Sequence, residues 1–339
     1  MIHNQITKIS CLLNFSYKFA PPKTFKLKEN QKLSKNLKVY GAVVSAMIFW
    51  SFSFIWFKKA NETFHPVTIV FIRLVFSMII LTTFLIITKN FMKIRKQDRK
   101  LFLMLALFEP FFYFLGESFG LTYVSATVCS VLISTIPVFA TIGAWLLFKE
   151  RLKAINYAGI ILSFIGVLVF ILNSDGSLSF NIKGLGLLIL AVFSAVGYNL
   201  TLSRLVGNYT PVYIVNVQNV IGAVLFLPLF MILDFKHFIN TPFTFHMFRP
   251  ILELAVFASC IAFILFAYSV KNMGLTRANV FSNCIPVFTA IFSFIILGEK
   301  LTAQNITGMI IVIAGLTMSQ INGRKKTIDE ALVLTGKTA

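Results

Sequence analysis

Three ionisable residues lie deep inside apolar runs of the sequence. Arg73 falls about eight residues into a run that opens at Pro66, Glu109 about ten residues into one that opens at Lys100, and Glu117 follows Glu109 by two turns. A charge near the centre of a bilayer costs roughly 3 kcal/mol on insertion scales, so such residues suggest a function by default. Glu109, Tyr113 and Glu117 recur at i, i+4 and i+8 and share one slowly drifting helix face. Two chemistries fit the set. Glu109 could exchange a proton or cation, with Arg73 as counter-charge or as a clamp for an anionic group. Alternatively, a fixed Arg–Glu pair could orient two helices. Pro110 follows Glu109 directly, so a kink that frees a backbone carbonyl is expected there. Glu253 lies only a few residues into its run and is expected to reach the membrane interface.

Amides form a second set: Asn199 beside Tyr198, Asn216 and Asn219 flanking Gln218, and Asn279 and Asn283 ahead of Pro286. An amide both donates and accepts, which suits zwitterionic or hydroxylated solutes. It also glues helices together. Together they suggest a polar cavity. Trp50 could stack on a solute, whereas Trp56 fits an interfacial aromatic belt. Cys11, Cys129, Cys260 and Cys284 form no CxxC pair, and the histidines are scattered with no accompanying carboxylate pattern. No metal or cofactor is expected. The apolar runs contain no histidine, which argues against an integral membrane enzyme, and no Walker A motif offers ATP as a drive.

The elements that must hold these residues follow from composition. Of the 339 residues, 57% are hydrophobic, 38 are Phe and only 13% are charged. A soluble domain carries about 25% charge, so a soluble enzyme and a disordered chain are both excluded. A spanning helix needs about 20 mostly apolar residues. Ten segments qualify: 39–57, 66–88, 100–120, 125–148, 154–172, 184–204, 211–233, 250–270, 277–297 and 302–321. The longest link covers about 234–249, and Pro66, Pro211 and Pro250 are placed at helix starts. The expected class is therefore an all-α polytopic membrane protein with ten transmembrane helices.

Lysine and arginine set its orientation. With the N-terminus in the cytoplasm, 24 basic residues fall on the cytoplasmic side and 6 on the other, with Arg73 inside a span. Both termini are thus expected in the cytoplasm of a bacterial-type inner (plasma) membrane. The net charge of +19 decorates one membrane face and needs no nucleic-acid partner. Residues 1–38, with eight lysines, read as a basic cytoplasmic tail, either resting on anionic headgroups or an unstructured leader. Residues 322–339 read as a second cytoplasmic tail.

The two halves repeat. At an offset of 149, Pro137, Val138, Phe139, Ile142, Glu150, Leu152, Ala154, Asn156, Gly159 and Gly166 match Pro286, Val287, Phe288, Ile291, Glu299, Leu301, Ala303, Asn305, Gly308 and Gly315. Each half, 39–172 and 184–321, has five spans, so the second enters the membrane upside down. Inverted repeats suit alternating access around a midplane site. The pattern P-V-F-x(11)-E-[RK]-L, with its two following glycines, resembles the end of an EamA repeat, and two repeats resemble the drug/metabolite transporter superfamily. That resemblance implies a secondary transporter that exports or exchanges a small metabolite or drug-like solute, working as a monomer or homodimer in the bilayer. It implies neither a substrate nor a catalytic motif. Glu150 and Glu299 are read as structural, accepting from the N–H groups that open the helix after each. The rival readings are a passive channel, a membrane receptor or sensor and, last, a membrane enzyme.

Overall fold

A computed structural model describes residues 23–140, 153–171, 181–242 and 244–320. All regular structure among these residues is helical. In chain order the helices are α1 (Lys23–Asn61), α2 (Pro66–Ile87), α3 (Lys96–Tyr123), α4 (Ala126–Ala140) and α5 (Ala154–Ile171). There follow α6 (Ile182–Leu205), α7 (Pro211–Asn240), α8 (Phe245–Met273), α9 (Leu275–Leu297) and α10 (Ala303–Gln320). Seven of them, α1 to α3 and α6 to α9, are long and apolar enough to cross a membrane, α1 through its part Asn36–Asn61. Helices α4, α5 and α10 are shorter apolar helices, and each stops where the described residues stop.

Met1–Gly41 and Ala42–Ala339 are separate compact units. In the first, helix begins at Lys23, well before the apolar run. The expected tail, 1–38, is therefore helical over its last part. Its Lys, Glu, Gln and Leu residues lose little side-chain freedom in a helix, which explains the early start. Residues 1–22 and 322–339 lie outside the described residues.

In the second unit, side chains close the helix starts. Thr210 Oγ1 accepts from Tyr213 N at α7, Ser125 Oγ from Val128 N at α4, and Asn181 Oδ1 from Lys183 N at α6. Pro66 and Pro211 occupy the first turn of α2 and α7, as expected. Pro250 does not start its helix: α8 begins at Phe245, and α7 runs on to Asn240. The link expected over 234–249 thus shrinks to a few residues. Phe238 packs on Phe64 and Phe230, and Phe248 on Phe64 and Phe76, so apolar burial extends both helices past their charged residues. Asp234 is buried there as the cap of α2, accepting from Thr68 N at 2.9 Å and Thr68 Oγ1 at 3.0 Å.

Helices α5 and α10 run antiparallel with their backbones almost touching. A Cβ at Gly159 would strike Ser319 N, one at Gly315 would strike Ser163 N, one at Gly166 would lie 2.5 Å from Val312 N, and one at Gly308 2.6 Å from Phe170 N. Only glycine permits this approach. The two ends are tied alike: Asn156 Nδ2 donates to Ser319 O at 2.8 Å, and Asn305 Nδ2 to Phe170 O at 3.1 Å. Each bond is the other shifted by the repeat offset of 149. The four repeated glycines are therefore a packing device.

Candidate functional site

Helix α3 is interrupted at its middle. Glu109 has φ −147° and ψ 118°, extended values inside an otherwise helical stretch, and a wide turn spans Leu107–Phe112. A residue ahead of proline is pushed out of the helical region by the proline ring, and Pro110 has no N–H to return to the ladder. The Glu109–Pro110 peptide is cis. The break falls where the sequence places the kink. In a membrane-embedded chain, irregular backbone is tolerated where protein or a cavity surrounds it.

A cavity of about 690 Å³, counting solvent at its mouth, lies against this break. It is lined by Arg73, Glu109, Tyr113, Glu117, Trp50, Tyr198, Asn199 and Asn279, eight of the eleven residues singled out from the sequence for solute or ion contact. Arg73 from α2 is only 3% exposed. Its Nε donates to Ser259 Oγ on α8 at 2.8 Å, and its guanidinium carbon stands 4.2 Å over the Phe114 ring. Among the described residues the ion pairs are His65–Asp234 and Arg249–Glu253; Arg73 makes no contact pair, and the Glu117 and Glu109 carboxylates lie within electrostatic reach of it. Its terminal amino groups take no hydrogen bond among those residues. Glu117 accepts from the Tyr113 hydroxyl at 3.0 Å, which fixes its carboxylate, while Glu109 takes no hydrogen bond or ion pair among the described residues. No contact ion pair joins Arg73 to either glutamate; both act on it across the cavity instead.

Aromatic walls complete the cavity. Trp50 meets Phe263 edge-on at 5.2 Å and lies 5.0 Å from Phe266, and Tyr198 meets Phe263 at 6.0 Å. The Tyr198 hydroxyl and Gln218 Oε1 are both buried without a hydrogen-bond partner among the described residues. Ser53, Phe114, Phe263, Phe266 and Ser282 were not singled out in the sequence. No signal marks these phenylalanines among 38. The i, i+3 spacing of Phe263 and Phe266 would be the best clue.

Three sequence candidates lie outside the cavity. Asn216 Oδ1 accepts from Thr82 Oγ1 at 2.9 Å, and Asn219 Nδ2 donates to Ser77 Oγ at 2.9 Å and to Ser259 O at 3.3 Å. Both join α7 to α2, and Asn219 also to α8. Here glue, the alternative to solute contact, describes the geometry. Asn283 is buried with neither amide atom partnered among the described residues and is not among the residues lining the cavity. Trp56 stacks on Phe52 at 5.4 Å and approaches Phe257 at 5.7 Å. Glu253 Oε1 accepts from the exposed Arg249 Nε at 2.8 Å.

In the repeat motif, Pro286 sits in the first turn of the helical segment Ile285–Phe292, and Pro137 follows a turn at Ser134–Thr135. Glu299 caps a helix, but not the one after it. Its carboxylate accepts from Ala126 N at 2.8 Å, Thr127 N at 3.3 Å and Thr127 Oγ1 at 2.7 Å, all at the start of α4. The start of α10 is served instead by Asn305 and Thr302. Glu150 lies outside the described residues.

The EamA-like transporter family model matches residues 37–172 and again 182–320. The chain belongs to the EamA-like transporter family. Its two matched stretches are the two repeats read from the sequence. An uncharacterized transporter of Archaeoglobus fulgidus is 25% identical over 280 residues, which cover 83% of this chain and 98% of that one. The uncharacterized transporter YcxC of Bacillus subtilis is 26% identical over 295 residues, covering 83% and 94%. A solved crystal structure aligns with a TM-score of 0.62 at 12% identity, covering 84% of this chain and 98% of that chain, and so shares the fold. A transporter role follows from family and relatives together.

Proposed function

We propose that the chain is a secondary carrier that moves a small solute bearing an anionic group, with an apolar body, by alternating access. The observation that carries this reading is Arg73: a buried guanidinium with no carboxylate in contact, facing a cavity that Glu117 and Glu109 also line. A buried ion compensated only at a distance is costly, and a solute anion would pair with it directly. The guanidinium fork suits a carboxylate or phosphate. Phe263, Phe266, Trp50 and Tyr198 would receive the apolar body. Glu109, beside the interrupted backbone, would take a solute ammonium group or carry a coupling proton. Glu117, held by Tyr113, would keep the stripe in place.

The antiparallel α5–α10 pair, tied by two bonds that the repeat offset interconverts, supports two inverted halves. Ten spans, both termini in the cytoplasm and residence in an inner membrane belong to the same reading, which rests on the basic-residue asymmetry. Comparative metabolite profiling tests it. Cells making the intact chain are compared with cells making Glu109→Gln at matched membrane abundance, inside and outside the cell. A solute redistributed by the intact chain, at least tenfold less by the variant, is expected. Equal redistribution by both would remove Glu109 from the mechanism, and none in either would count against transport of any solute that host makes.

A further inference from the structure

The carrier reading requires a cavity reached from one membrane face at a time. Two observations bear on how one end of the bundle is held. First, the Glu299 carboxylate, on the link after α9, accepts three hydrogen bonds from Ala126 and Thr127 at the start of α4. It thereby joins one repeat to the other across the end of the bundle. These are charge-assisted bonds at a helix N-terminus, the strong class for a carboxylate. The Lys58 ammonium, at the end of α1, lies within electrostatic reach of the same carboxylate without pairing with it.

Second, the two ends of the α4–α9 pair differ. Ala126 and Thr127 are buried, at 0% and 2% exposure. The residues at the same repeat positions, Leu275 and Thr276, start α9 at the other end of the bundle, where Leu275 is half-buried and Thr276 exposed. Asn279 and Ser282, one and two turns further along α9, line the cavity. Asn279 and Ser282 thus place the cavity beside the first half of α9, while at the Glu299 end Ala126 and Thr127 are buried under the carboxylate.

We propose that Glu299 is the latch of the gate at its end of the bundle: it holds α4 against the end of α9, and the cavity opens there only when the carboxylate releases Ala126 and Thr127. This rests on the carrier reading for its purpose but not for its test. By the charge asymmetry, the latched end is the outer one.

The native thiols report the latch. Cys129 sits on α4 one turn past Ala126 with no exposed surface, Cys260 is buried on α8, and Cys284 on α9 is exposed. The purified full-length chain in detergent is treated with a water-soluble maleimide, and labelling of each cysteine is timed by peptide mass spectrometry. Free cysteine added at known concentration calibrates the reagent, and Cys260 reports on the integrity of the bundle. In Glu299→Gln, and independently in Thr127→Val, Cys129 is expected to react about tenfold faster, the factor for one lost charge-assisted bond, while Cys260 keeps its rate. An unchanged Cys129 rate in Glu299→Gln would overturn the latch. So would acceleration of Cys129 and Cys260 together, which would make Glu299 a staple of the whole fold. No solute enters this assay, so its failure leaves the cavity's function standing, and a failed metabolite profile leaves the latch intact.

Discussion

Replacement of Arg73 discriminates most sharply between a solute clamp and a structural cation. The guanidinium is held from behind by Nε–Ser259 Oγ at 2.8 Å and from one face by Phe114 at 4.2 Å, which leaves its terminal amino groups for a ligand. A carboxylate taken up by that fork gains two parallel charge-assisted bonds, each about 1.5–3 kcal/mol. Arg73→Lys keeps the charge and loses one bond of the pair, so affinity for an acidic solute should fall about tenfold. Arg73→Gln loses both, about 3–6 kcal/mol, and should weaken binding by at least about a hundredfold. The assay is calorimetric binding to the purified chain, using matched pairs of each solute as free acid and methyl ester. The esters lack the charge, so their already weak affinity should barely change across wild type, Lys and Gln. Equal losses for acid and ester would show that the substitutions act through the fold. Undiminished binding of the acid to Arg73→Gln would refute the clamp outright.

Two further substitutions probe the scaffold. Gly315→Ala drives a Cβ into Ser163 N and to 2.8 Å from Gly159 O, both backbone atoms that cannot step aside. It should destabilise the chain by about 2–3 kcal/mol, and an unaltered thermal midpoint in detergent would mean that α5 and α10 do not pack this way. Asp234→Asn leaves one side-chain oxygen for the Thr68 N and Oγ1 donors at the start of α2, and should cost about 1 kcal/mol in the same assay. Its solute profile at matched abundance should equal that of the intact chain, because Asp234 is not among the residues lining the cavity.

How far the site can be read from sequence depends on how rare each residue is in its surroundings. Arg73, Glu109 and Glu117 stand out because a charge inside an apolar run demands a reason, and the cavity gathers all three. The break at Glu109 is legible too, since proline acts on its neighbour through covalent geometry alone. Amides are different. Asn199 and Asn279 reach the cavity while Asn216 and Asn219 bond to Thr82, Ser77 and Ser259, and nothing local separates the two kinds. Their roles are set by partners that arrive from distant sequence. The same holds for Glu299, whose partners at Ala126 and Thr127 belong to the other repeat. Most helix positions follow from hydropathy. The extensions of α7 to Asn240 and α8 back to Phe245 do not, because charged residues there read as a link until packing of Phe238 and Phe248 is seen.

The repeat and the cavity use different residues, and that division has a physical basis. Residues identical between the halves, among them Asn156 with Asn305 and Gly159 with Gly308, hold α5 against α10 through contacts that the repeat offset interconverts. A change in one copy would break a contact that the other copy mirrors. The cavity has no such symmetry. The offset of 145 that pairs Pro66 with Pro211 pairs Arg73 with Gln218, an amide where the first half has a charge. Offsets from 145 to 149 place Glu109 against 254–258 and Glu117 against 262–266, stretches without an acid. The first half thus supplies the ionisable chemistry, and the second supplies Phe263, Phe266, Asn199 and Asn279 as walls and neutral partners. A solute in this cavity would meet charges from the first half alone and apolar contacts from both, Trp50 and Phe114 from the first and Phe263 and Phe266 from the second. On the carrier reading proposed above, two matched halves would exchange conformations while charges confined to one half hold the solute in a single orientation.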